Sequence, residues 1–199
     1  MLEHLFEIIY FAGIVAQIII RAPYGRPQRK IEKTDRRVNS AEQVGLTLLF
    51  VGILPFPLLY SLTSWLDFAD YPVSANTKVY MGIVGTLLLI VSLWLFWRSH
   101  HDLGSNWSPS LEINVKQTLI THGIYRWIRH PMYASQWVWS IAQIFLFPNW
   151  IAGWIGLLTF APFYWIRIAG EEQMMIDHFG AAYREYCAKT GRVIPRMFG

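Results

Sequence analysis

Thirty-six consecutive residues, 131–166, carry no charged side chain, and charge brackets the run on both sides: Arg129 and His130 before it, Arg167, Glu171 and Glu172 after it. A membrane-crossing helix needs about 20 residues, so the run is too long for one crossing and suits two short ones. Phe147-Pro148-Asn149 falls near its middle, with about 17 residues on either side. Pro and Asn at that point favour a turn over a continued helix. The spacing therefore predicts a tight helical hairpin whose two charged ends meet on one membrane face. A polar cluster at the mouth of an apolar hairpin suits a charged cofactor and a lipophilic substrate.

The rest of the chain agrees with a membrane setting. Of 199 residues, 54% are hydrophobic and only 15% charged, against about a quarter charged in soluble domains. Ten Trp and ten Tyr suit a protein with two water–lipid interfaces to line. The net charge of +4 could suggest nucleic acid. The basic residues, however, sit beside apolar stretches and do not interleave with aromatics on a soluble face, which excludes that class of partner. The single cysteine, Cys187, permits no internal disulfide and reads as a packing residue. The first ten residues contain Glu3 and Glu7 and lack a basic start and a small-residue cleavage site, so a removable signal peptide is not expected.

These patterns predict an all-α integral membrane fold. It has about five spans, residues 2–20, 44–66 and 79–97 followed by the hairpin, and a C-terminal amphipathic helix after Arg167. Pro55 and Pro57 should kink the second span, with packed neighbours satisfying the freed carbonyls. The whole chain, 1–199, reads as one domain: three N-terminal spans in 1–100, then a cofactor-binding region in 101–199. Loop 21–37 holds seven Lys or Arg, which places it in the cytoplasm. Five spans then put the N-terminus outside, and residues 98–129 and the C-terminal tail inside. After Arg167, Met175, Phe179, Ala182 and Tyr186 share a face, so the tail should lie along the interface and cover the site. Gly180 should weaken this helix locally.

Two segments carry the chemistry. In the first, Gly123-Ile124-Tyr125-Arg126-Trp127-Ile128-Arg129-His130-Pro131-Met132-Tyr133, Pro131 is placed to start the fourth span, so that His130 and Tyr133 project from its first turn. In the second, Arg167 and Glu171 are spaced i, i+4 on one helix face while Glu172 turns aside by about 100°. On a soluble surface such a pair would contribute only a few tenths of a kcal/mol. Ionisable groups at membrane depth are costly and mark function by default.

The string GIYRWIRHPMY, followed after a hairpin-length gap by RIAGEEQMMIDHFGAAYREY, resembles the isoprenylcysteine carboxyl methyltransferases. These integral membrane enzymes move a methyl group from S-adenosylmethionine to the carboxylate of a prenylated C-terminal cysteine. The likeness runs from about Leu103 to Pro195. It implies cofactor contacts from Gln117, Thr118, Leu119 and Ile120, then from Tyr125, then from His130, Pro131, Met132 and Tyr133, and finally from Glu171. It implies that Arg167 holds the substrate carboxylate, and that the partners are the bilayer and a lipophilic carboxylate such as a prenylated cysteine. The segment before the motif, HDLGSNWSPSLEI at 101–113, departs from the eukaryotic pattern, so a contact from Ser110 or Glu112 is open.

Within this reading Glu171 pairs with the cofactor ammonium, the rings of Tyr125 and Tyr133 face adenine or the sulfonium, and His130 donates to the cofactor carboxylate or ribose. The acceptor carboxylate is already ionised at neutral pH, so no general base is required. Phospholipid N-methyltransferases and the C-terminal part of sterol reductases share the pairing of the two segments. A phospholipid amine acceptor, an NADPH-dependent sterol-type reductase and a non-catalytic membrane protein are therefore the alternatives. His100, His101, His122 and His130 match no metal-ligand spacing, and no metal is expected. Asn106 should turn the approach to the site, and Trp137 and Trp139 should pack or face lipid.

Overall fold

The computed structural model describes residues 2–28, 33–36, 40–107, 112–114 and 118–196. Its elements are α1 (Leu2–Gln28), β1 (Lys33–Arg36), α2 (Ser40–Ile53), α3 (Pro55–Leu62), α4 (Ala75–Leu103), β2 (Glu112–Asn114), α5 (Pro131–Leu146), α6 (Ile155–Phe179) and α7 (Ala181–Lys189). Among the described residues three segments are long and apolar enough to cross a membrane: His4–Tyr24, Gln43–Leu62 and Ala75–Asn106. Large apolar side chains on them face outward, among them Ile18, Ile19, Phe50, Leu87 and Trp94. An apolar exterior of this extent fits lipid and not water, and the chain is an integral membrane protein.

α1 runs eight residues beyond the expected end of the first span, so Arg21 lies on the helix. The second span breaks between Ile53 and Pro55, where the prolines predict a kink. Pro57 has no N–H, so the carbonyl of Ile53 loses its helical donor. Tyr10 of α1 replaces it: its hydroxyl lies 2.9 Å from Ile53 O and 2.8 Å from Gln143 Oε1, one proton shared between two acceptors. The Gln143 amide donates to Gly52 O at 3.0 Å and Ala152 O at 2.8 Å, and Trp139 Nε1 donates to the Tyr10 oxygen at 3.2 Å. Tyr10, Trp139 and Gln143 are fully buried, so Trp139 is a packing residue as its setting suggests. Gln143→Leu would strand the carbonyls of Gly52 and Ala152 in a dry core and leave the Tyr10 hydroxyl with Ile53 O as its one acceptor. A loss of about 2 kcal/mol is expected, read as a lowered melting temperature in detergent; an unchanged melt would count against the network.

The hairpin forms, but its arms are splayed. α5 packs mainly along α4 and α6 mainly along α2, with fewer contacts between α5 and α6. The arms are tied at the tip, where Asn149 is fully buried. Its amide donates to Leu66 O at 2.7 Å and Asp70 Oδ1 at 2.9 Å, while its Oδ1 accepts the N–H groups of Ile151 and Ala152. The tip thus rests on the turn between α3 and α4. α4 is antiparallel to α5: Ser92 donates to Ser135 O at 2.8 Å, and seven residues earlier Gly85 faces Leu146. β1 pairs antiparallel with β2, Asp35 opposite Ile113, which joins the basic loop to the segment after α4. Periodicity gave no warning of this pairing, because strands of four and three residues are too short to show any.

Candidate functional site

Each side chain at the open end of the hairpin is fixed by a different element. Gly123 has φ +60°, a conformation that side chains disfavour, and the turn it starts brings Ile124 N–H to Asp102 Oδ2 at 2.7 Å. Arg98 holds the same carboxylate at 3.0 Å. That anchors the turn 123–126 to the end of α4, where the Tyr125 hydroxyl donates to Ser99 O at 3.3 Å. Pro131 then opens α5, as the sequence predicts, with His130 as the residue before it. On the other arm α6 continues without a break through Arg167 to Phe179, where the sequence suggests a separate helix after Arg167. Gly180, at φ +57°, ends it and leads into α7. On α7 Tyr183 and Tyr186 are buried and Arg184 and Glu185 exposed.

Four of the expected residues come together. The Tyr133 hydroxyl donates to Glu171 Oε2 at 2.6 Å, His130 Nδ1 lies 3.7 Å from Glu171 Oε1, and Arg167 Nε lies 3.8 Å from Glu171 Oε2. Burial alone would push the Glu171 carboxyl up. The hydrogen bond and charge of His130, with Arg167 and Tyr133, outweigh it and hold the group at about 2. Burial likewise opposes protonation of His130, and the two glutamates override it and raise its pKa. The carboxylate and the imidazole each favour the charged form of the other.

Glu172, turned from that face, has a cluster of its own. It collects Arg129 (Nη2–Oε1 2.9 Å), His130 (Nε2–Oε1 3.4 Å) and Arg192 (Nη2–Oε2 2.5 Å), and burial of its carboxyl is likewise outweighed by His130, Arg192 and Arg129, leaving it at about 2. Neither Arg192 nor the role of Glu172 was readable in the sequence: the arginine arrives from a stretch past α7 with no periodicity to locate it. The remaining expected residues sit further off. Tyr125 is buried and Ile120 packs on its cluster. Pro131 is buried and Met132 half-buried on α5, while Leu119 is half-buried and Thr118 exposed. Thr118 N–H donates to Asn106 Oδ1 at 2.8 Å, which ties residue 118 to the end of α4. Among the described residues no hydrogen bond links 118–120 to Glu171. Gln117, Ser110 and the side chain of Glu112 lie outside what is described.

Below the charges lies an aromatic wall: Tyr133 on Tyr164 at 5.5 Å, Trp137 on Phe160 at 5.1 Å and on Tyr164 at 5.5 Å. A groove of about 280 Å³ opens between α2 and α6, lined among others by Gly45, Leu48, Pro162, Phe163 and Ile166. Its Phe163 ring lies 5.6 Å from the Arg167 guanidinium carbon, so an apolar channel and a cation adjoin.

Comparison with known proteins follows this geometry. Residues 83–177 match the sequence model of the isoprenylcysteine carboxyl methyltransferase family. The human protein-S-isoprenylcysteine O-methyltransferase is 29% identical over 144 residues, 70% of this chain and 51% of its own. The Saccharomyces cerevisiae protein of the same name is 30% identical over 131 residues, 65% of this chain and 54% of its own. The chain spans about half the length of these curated relatives. A solved structure of the eukaryotic intramembrane Ras methyltransferase ICMT aligns over 94% of this chain and 62% of its own, at 26% identity and a TM-score of 0.47. The part of the chain that is similar to the isoprenylcysteine carboxyl methyltransferase family, residues 83–177, holds most of α4, all of α5 and α6 past Glu172.

Proposed function

We propose that this chain moves the methyl group of S-adenosylmethionine to the carboxylate of a lipophilic acceptor of the isoprenylcysteine type, at the open end of the α5–α6 hairpin. The observation that carries the reading is Glu171, an ionised, half-buried carboxylate touched by His130, Tyr133 and Arg167 where an apolar groove begins. The donor set fits the cofactor: an amino acid presents an ammonium and a carboxylate, and the site offers Glu171 for the first and His130 for the second. Bound S-adenosylmethionine supplies an electrophilic methyl on a sulfonium. The rings of Tyr133 and Tyr125 would face that cation, and Thr118, Leu119, Ile120, Pro131 and Met132, with Gln117, would line the rest of its site.

Arg167 aligns the acceptor carboxylate, using its planar fork, and the groove beside Phe163 takes the hydrocarbon. Catalysis then rests on orientation and on removing water from two opposite charges that cancel in the transition state. The site lies on the cytoplasmic face in this reading. The basic loop is joined to the 112–114 strand, and the hairpin tip rests on the opposite turn, which supports five crossings with the C-terminal helix at the interface.

Purified protein in detergent should release heat on titration with S-adenosylhomocysteine. With labelled methyl donor it should form a base-labile methyl ester on a farnesylcysteine analogue. Label on phosphatidylethanolamine instead would replace the carboxylate with an amine acceptor, which needs a base; no binding of the homocysteine product would sink both.

A further inference from the structure

The family match ends at residue 177, yet the stretch after α7 is bonded directly to the site. Arg129 N–H donates to Gly191 O at 2.8 Å, His130 N–H to Arg192 O at 2.9 Å, and Gly191 N–H to Trp127 O at 3.2 Å. The Arg129 side chain also donates to Cys187 O at 3.3 Å and to Thr190 O. Arg192 spans both oxygens of Glu172, Nε to Oε1 at 3.1 Å and Nη2 to Oε2 at 2.5 Å. Val193 packs against the apolar cluster of Ile124, Tyr125, Ile128 and Ala134 and equally against that of Phe160, Phe163, Tyr164 and Ile168. Residues 190–193 therefore touch both arms of the hairpin where those arms hold the charged groups.

We propose that residues 190–193 form a clasp that positions His130 for the cofactor, with Arg192 as a positioning residue acting through Glu172. The proposal rests on the reading of this end as an S-adenosylmethionine site. The His130 side chain sits between two carboxylates, Nε2 3.4 Å from Glu172 Oε1 and Nδ1 3.7 Å from Glu171 Oε1. Which way Glu172 faces depends on the cations on its other side. Arg129 places Nε and Nη2 on Oε1 alone, at 3.2 and 2.9 Å, and gives Nη1 to the carbonyls of 187 and 190, so Arg192 is the cation that holds both oxygens of this carboxylate. Without it Glu172 can swing toward Arg129, and the imidazole loses the oxygen that fixes its plane. A lysine would keep the charge without the fork. Arg192 is exposed at its outer side, 45% for the side chain, so its removal opens no cavity in the core.

The test compares Arg192→Ala, Arg192→Lys and Val193→Ala with the unaltered chain, by titration with S-adenosylhomocysteine, by melting temperature, and by the ring ¹⁵N resonances of His130 without cofactor. Arg192→Ala should weaken binding about tenfold, shift the His130 ring resonances and leave the acceptor KM within about twofold; Arg192→Lys should recover most of the loss. Binding within about twofold of the unaltered chain, or unshifted His130 resonances, would overturn the clasp. So would affinity losses that merely follow falling melting temperatures in both Arg192→Ala and Val193→Ala, because that is what a structural tie alone gives. If the unaltered chain binds no S-adenosylhomocysteine, the methyltransferase reading fails, while the His130 resonances still report whether the clasp sets the ring.

Discussion

Glu171→Gln should weaken S-adenosylhomocysteine binding by about 100-fold and take methyl transfer with it, while the protein still folds. The substitution is close to isosteric. The amide oxygen can still accept from Tyr133, whose hydroxyl now sits 2.6 Å from the carboxylate, so the aromatic wall beneath need not move. What disappears is charge. Glu171 is held ionised, its pKa pressed down to about 2 against the effect of burial by His130, Arg167 and Tyr133. At neutral pH the whole negative charge is therefore available to a ligand ammonium. A hydrogen bond to a charged group contributes roughly 1.5–3 kcal/mol, which corresponds to about 10- to 150-fold in affinity. The upper part of that range applies because the carboxylate is partly shielded, its side chain 29% exposed. Calorimetric titration of the variant alongside its melting curve checks this; affinity equal to that of the unaltered chain would remove Glu171 from the cofactor site.

How much of this could be read from the residues differs from one element to the next. The hairpin was legible because two strong signals coincide: an uncharged run too long for one helix, and a Pro-Asn turn at its midpoint. So was the meeting of its ends, because a turn at 147–149 leaves arms of nearly equal length. The pairing of Arg167 with Glu171 follows from helical spacing alone. The splay of the arms was not legible. It arises because α5 buries its face on α4 and α6 on α2, and an apolar face does not declare which apolar neighbour it will meet. The tie that replaces the Ile53 helical bond was foreseeable as a need, since Pro57 frees that carbonyl, but not as Tyr10 and Gln143, which lie 133 residues apart. The partners of Glu172 were not legible for a related reason. Its position on the helix points away from Arg167, and only the return of the chain past α7 shows that a second cluster of charges waits on that side.

The two clusters divide the work along one helical turn, which explains why an acid pair is placed here at all. Glu172 is enclosed by this chain's own cations, Arg129 and Arg192, and so serves the frame. Glu171 faces His130, Tyr133 and Arg167, groups at the end of an aromatic wall, on the side that the proposed cofactor would take. A carboxylate with no fixed arginine fork can exchange partners without exposing a bare charge.

Arg167→Ala should lower kcat/KM for the lipophilic acceptor by about 10²- to 10³-fold, with S-adenosylhomocysteine affinity changed only a few-fold. The Arg167 side chain is 11% exposed, and its guanidinium sits at the end of the groove, close to the Phe163 ring. A hydrocarbon lying along Gly45, Leu48 and Pro162 would deliver its polar end to this group. Attack on the methyl carbon must be in line, and two parallel N–H donors fix the carboxylate plane where a single ammonium cannot. Arg167→Lys should therefore restore binding of the acceptor better than it restores turnover, a split between KM and kcat that a loss of charge alone does not produce. Steady-state rates with a farnesylcysteine analogue, measured against a fixed saturating methyl donor, decide the matter. If Arg167→Ala transfers methyl groups at the unaltered rate, the acceptor carboxylate is held elsewhere. If it abolishes cofactor binding as well, Arg167 supports Glu171 and does not meet the acceptor, and the orientation of the two substrates would then have to come from the groove alone.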